Sequence, residues 1–104
     1  MRIFDRYFLC VCGCSLRGYA FQKSAERAAE ALNNATSLSR SRYHVHEREE
    51  LDGSGSCPCR VSRFDQQNTE LLIEIGEAFV NVDPRVNDLV EKLRFAEKHG
   101  RREP

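Results

Sequence analysis

The hydrophobic pattern begins with Tyr7, Phe8, Leu9, Cys10, Val11 and Cys12, six apolar residues in succession with no polar face. A strand of that kind is buried on both sides and belongs in the middle of a sheet. Gly13 follows at once, and two aromatics and a β-branched residue crowd the run, which weighs against a helix. Residues 2–12 are therefore read as the first strand. Tyr7, Leu9 and Val11 point one way, and Phe8, Cys10 and Cys12 point the other. A turn at Gly13, Cys14 and Ser15 leads into a second strand over 16–21, which contains Tyr19 and Phe21. The two strands form an antiparallel hairpin with Cys14 at or near its tip.

Beyond the hairpin the period changes from two to that of a helix. Ser24 is the predicted N-cap, its hydroxyl accepting from an orphan backbone N–H, with Arg27 at the N3 place. Ala25, Ala28, Leu32 and Ala35 form a narrow apolar stripe, preceded by Phe21, and the small alanines let the helix sit close on the sheet. Asn33, Asn34 and the Ser-rich run 36–41 end it. Residues 42–49 alternate: Tyr43, Val45 and Glu47 on one side, His44, His46 and Arg48 on the other, as in a half-buried strand. Asp52-Gly53-Ser54-Gly55-Ser56 reads as a flexible loop. Residues 57–64 read as a short edge strand, with Pro58 at its start.

Two amphipathic helices complete the pattern. Asp65 or Asn68 caps the first, in which Leu71, Leu72, Ile75, Phe79 and Val82 share a face. Asp83 caps the second and Pro84 takes its first position, where a missing N–H costs nothing. Its apolar face is Val86, Leu89, Val90, Leu93 and Ala96. Lys98 and His99 suit its C-terminus, and Gly100 ends it. Ile73 and Val80 lie off the main stripe and serve either as sheet contacts or as a homodimer seam. The expectation is one α+β domain over residues 1–104. Residues 1–64 form a small antiparallel sheet with one helix, and residues 65–100 form a C-terminal αα-hairpin.

Composition narrows the function. A chain of 104 residues supports one core. The net charge is zero, but residues 1–48 carry eight Lys or Arg against four Asp or Glu, and residues 49–104 carry eight against twelve. That polarity lacks the overall basic bias of most nucleic-acid binders. No apolar run approaches the ~20 residues that span a bilayer. Val11-Cys12-Gly13-Cys14 loosely resembles a lipoprotein cleavage box. The apolar run before it is shorter than the usual ~7–15 residues, however, and Asp5 interrupts the basic segment, so the chain is read as cytoplasmic with mostly reduced cysteines.

The cysteines and histidines are the sharpest chemical feature. Residues two apart on a strand share a face, so Cys10 with Cys12 and His44 with His46 would present four zinc ligands if the third strand lies beside the first. Cys12, Cys14, Cys57 and Cys59 make a second set. C-x-C is a weaker zinc signal than C-x-x-C, and buried free cysteine is also ordinary core filler. Cys14 and Cys57 are the exposed candidates for a reactive thiol, but no nucleophile motif, phosphate loop or metalloprotease motif accompanies them, and no catalytic residue is assigned.

Two charged surfaces remain. Asp65, Glu70, Glu74, Glu77 and Asp83 are five acidic residues with no basic one between them, suited to a basic protein partner. Arg17, Lys23, Arg27, Arg40, Arg42 and Arg48, interleaved with Tyr19, Tyr43 and His44, suit phosphates or a single strand of nucleic acid. The small single-domain plan with polarised charge resembles the small inhibitors that phages and mobile elements encode, including anti-CRISPR proteins. The likeness is one of architecture and carries no motif. The primary expectation is a non-enzymatic protein-binding module, an inhibitor or adaptor, using the acidic helix. The alternative is a zinc-stabilised nucleic-acid-binding domain.

Overall fold

Tyr7–Val11 is β1, the middle strand of a three-stranded sheet of order β2-β1-β3, where the unbroken apolar run allows burial on both faces. The computed structural model describes residues 5–36, 42–51 and 61–99. β2 is Cys14–Tyr19, α1 is Gln22–Thr36 and β3 is Tyr43–Glu47, followed by a 3-10 turn over Arg48–Glu50. α2 (Arg63–Gln67), α3 (Thr69–Val80) and α4 (Val86–His99) complete the chain. Both neighbours of β1 run antiparallel to it. The architecture is α+β, with two helices paired at the C-terminus. No helix among the described residues is long and apolar enough to cross a membrane.

The hairpin closes one residue earlier than the pattern predicts. Cys12 and Gly13 both have positive φ, 53° and 80°. Two left-handed residues make the tight turn whose twist matches the flanking strands. Cys14 is consequently the first residue of β2, paired with Val11. The left-handed backbone also takes Cys12 off the face of Cys10: its side chain packs on the main core, and its thiol donates to the Asp65 carbonyl at 3.6 Å. Farther along, the register shifts between Leu9 and Cys10, with Leu16 the extra residue of the bulge.

The main core lies on one side of the sheet. Leu9, Val11 and Tyr43 meet Ala29 and Leu32 of α1, Leu72, Ile75 and Ala78 of α3, and Leu89, Val90 and Leu93 of α4. Gly76 lets α3 lie close: a methyl there would run into Leu16 and stand 3.3 Å from Tyr43 Cε2. The Tyr43 hydroxyl donates to the Leu72 carbonyl at 2.7 Å, and burial pushes its pKa well above the ordinary tyrosine value. On the other side of the sheet, Phe8 and Cys10 are buried with Leu51 against them.

Several expectations are corrected. α1 starts at Gln22, so Ser24 lies inside it, and the buried line is Ala25, Ala29, Leu32 and Thr36. β2 ends at Tyr19, so Phe21 falls outside the strand, and Val82 falls outside α3; both are exposed, at 73% and 89%. The described end of the predicted edge strand is helical instead: Ser62 caps α2 by accepting from the Asp65 N–H at 3.1 Å. Its remainder, 57–60, lies outside the described residues, as do the loop 52–56 and Gly100. Asn68, not Asp65, stands at the N-cap of α3. α4 starts at Val86, so Pro84 lies in the turn before it rather than at its first position, and Asp83 holds that turn by accepting from the Arg85 N–H at 2.9 Å.

Arginines from other elements satisfy the last carbonyls of two helices. Arg42 donates to Thr36 and Arg94 to Ala35 at the end of α1, each at 3.2 Å, while Arg17 donates to Val80 at the end of α3 at 3.1 Å. α3 then stops in a double-bonded C-cap, with Asp83 N–H to Ala78 O at 2.8 Å and Val82 N–H to Phe79 O at 3.1 Å. The left-handed residue of that motif is usually glycine, but here it is Val82, at φ 53°. Val82→Gly should therefore raise stability by about 1 kcal/mol, as relief of the left-handed valine outweighs the added chain entropy. A higher urea midpoint with unchanged slope is the expected reading. An unchanged or lower midpoint would show that the strain at Val82 does not exceed the added chain entropy.

Candidate functional site

The charged residues divide into an internal set and an external one. Arg42, at the entrance to β3, has 1% of its side chain exposed and makes two ion pairs. Nε stands 3.0 Å from Asp65 Oδ1, and Nη2 stands 2.7 Å from Glu97 Oε2. Its guanidinium also lies 5.4 Å from the centre of the Phe64 ring. These contacts tie β3, α1, α2 and α4 together. Two residues with opposite expected roles, Asp65 for a protein partner and Arg42 for phosphate, neutralise each other inside the protein.

The outer face of α3 carries Glu70, Glu74 and Glu77, all exposed, at spacings of four and three residues. The opposite face of the same helix, Leu72, Ile75, Gly76 and Ala78, is buried. Packing thus fixes the direction in which the three carboxylates point. Asp83, farther along, is paired with Arg85 at 2.9 Å, and the hydrogen bonds from Arg85 hold its carboxyl below the usual carboxylate range. The available acidic stripe is three glutamates rather than five acidic residues.

The basic set is dispersed among several tasks. Arg17 reaches the end of α3 and lies 5.4 Å over the Tyr19 ring. Lys23 and Arg27 are exposed on α1, and Arg48 is exposed at the start of the 3-10 turn. Arg42 is buried, and Arg40 lies outside the described residues.

β1 and β3 do bring Cys10 opposite His44, and Phe8 opposite His46. The two imidazoles are 6.4 Å apart between centroids, and His46 Nδ1 is 3.6 Å from Glu50 Oε1. Cys12, predicted beside Cys10, is turned to the other side of the sheet by its positive φ. Among the described residues no group of three or more His, Cys, Asp or Glu is placed to hold a metal ion. Cys57 and Cys59 lie outside the described residues. Burial raises the Cys12 pKa, the direction opposite to thiolate activation. Cys14 is exposed at the start of β2.

His44 offers a pH signature. Burial, reinforced by neighbouring His46, lowers its pKa below 6.5. The unfolded chain then takes up this proton more readily than the folded one. Stability from the neutral imidazole is complete above about pH 6.5 and is lost as pH falls through that value. In urea unfolding between pH 7.5 and 5.5, wild type should lose more stability than His44→Gln. Equal losses would contradict a disfavoured imidazolium.

No protein-family model, curated protein or solved structure matches the chain.

Proposed function

We propose that the protein is a non-enzymatic protein-binding module, an inhibitor or adaptor that covers a basic surface of a larger partner with the outer face of α3. One observation supports this reading above others: Glu70, Glu74 and Glu77 are exposed in a line on a helix whose other face is locked into the core. A rigid row of like charges speeds encounter with a complementary surface and sets the orientation in which it docks. Val82, exposed just beyond the stripe, adds an apolar contact of the kind that fills a partner's pocket.

The test is charge reversal at three positions that bear no core contact. Glu70→Lys, Glu74→Lys and Glu77→Lys together should leave the circular dichroism spectrum and unfolding midpoint near wild type. The same variant should lose the proteins that immobilised wild type captures, and raised salt should weaken wild-type capture. Capture by the variant equal to wild type would remove α3 from the interface and overturn the proposal.

A further inference from the structure

β3 is an edge strand, and its outer side is sealed at two points but open between them. Arg48 N–H donates to Arg6 O at 2.8 Å, so the even-numbered residues of β3 turn their backbone groups toward β1 and the odd-numbered ones turn theirs outward. At Tyr43, Asn33 of α1 satisfies both outward groups: Oδ1 accepts the Tyr43 N–H at 2.7 Å, and Nδ2 donates to the Tyr43 carbonyl at 2.9 Å. At the other end the Glu47 N–H donates to Glu50 Oε1 at 2.8 Å. Val45 lies between these seals. By the same alternation its N–H and C=O face outward, and among the described residues neither has a hydrogen-bond partner.

That gap opens into a groove of about 450 Å³ between α1 and β3, walled by Glu26, Ala29 and Glu30 and floored by His44 and Val45. Glu26 accepts from Gln22 at 3.1 Å, while Glu30, exposed on the same helix, has no hydrogen-bond or ion-pair partner among the described residues. Among the described residues no lysine or arginine lines the groove. An unpaired strand edge is a template for another backbone, because its donor and acceptor repeat at the spacing of an extended chain.

We infer that this groove receives an extended peptide segment carrying a lysine or arginine, whose backbone pairs with Val45 and whose cationic side chain lies against Glu26 and Glu30. The backbone rung supplies hydrogen bonds whatever the peptide sequence, and the two carboxylates supply the selection for positive charge. A second copy of this chain is a poor occupant, since pairing two β3 edges would set the Glu26 and Glu30 walls of the copies against each other. This surface is built from α1 and β3 and is independent of the α3 stripe.

The experiment uses the full-length ¹⁵N-labelled protein at low salt, with the probe acetyl-Thr-Val-Lys-Val-Thr-amide and the same peptide with Glu in place of Lys. In the free protein the Val45 amide should exchange with solvent far faster than those of His44 and His46, which pair with β1. Adding the Lys peptide should shift the Val45 amide and protect it, and the Glu peptide should do neither. Glu26→Gln with Glu30→Gln, on an exposed helix face, should weaken Lys-peptide binding at least tenfold. Charge reversal on α3 should leave it unchanged, which separates this site from the α3 interface. A Val45 amide already protected in the free protein would overturn the inference. So would equal binding of the two peptides, unchanged binding by the Glu26/Glu30 variant, or no shift at Val45 at millimolar peptide.

Discussion

A buried guanidinium is the most demanding group in this protein, and the arrangement of the helices around the sheet depends on it. Removing Arg42 from water costs several kcal/mol unless charges and carbonyls replace the lost hydration. Asp65, Glu97 and the Thr36 carbonyl do so, with the Phe64 ring beside them. These partners come from α2, α4 and the last turn of α1. None can move independently without stranding a buried charge. The planar fork of arginine, with donors aimed in several directions, suits a junction of this kind better than a lysine would.

The same junction shapes the outside. By drawing Arg42 and Asp65 inward, it removes one member from each of the two charged surfaces that the linear pattern suggests. Arg17 is likewise engaged at the end of α3. What the expected acidic set leaves in solvent is sharper than its full list: three glutamates on α3, a helix whose opposite face, with Leu72, Ile75 and Gly76, is buried. Asn33 plays a comparable part at the sheet edge, closing β3 at Tyr43 and leaving the opening at Val45.

Much of the architecture was legible because single patterns admitted one reading. Six apolar residues require a central strand, and the periodic faces of α3 and α4 require a helix pair on a core. The errors have equally local causes. Alanines at 25, 28, 29, 31 and 35 allow several stripes on α1 of nearly equal merit, so the buried line was set one position off by tertiary packing. Val61 to Phe64 alternates like a strand, but Ser62 and Asp65 are spaced as the two members of a helix-start motif, and that stronger signal won. The expected Cys10 and Cys12 pair failed because a two-residue turn needs left-handed backbone where Cys12 stands. The Arg42–Asp65 pair joins positions 23 residues apart and has no local signature. Only the assembled helices bring it together.

The central claim is that charges inside hold the fold while those on α3 do not, and a urea-unfolding double-mutant cycle tests it directly. Arg42→Met should cost about 3–5 kcal/mol, because it leaves the buried Asp65 carboxylate uncompensated; Asp65→Leu should cost less, because Glu97 still pairs with Arg42, and the double variant should cost much less than their sum. Glu70→Gln, Glu74→Gln and Glu77→Gln in the same experiment should leave stability within about 0.5 kcal/mol of wild type. Small, additive losses at Arg42 and Asp65, or a large loss from the glutamate variants, would contradict this division of the charges.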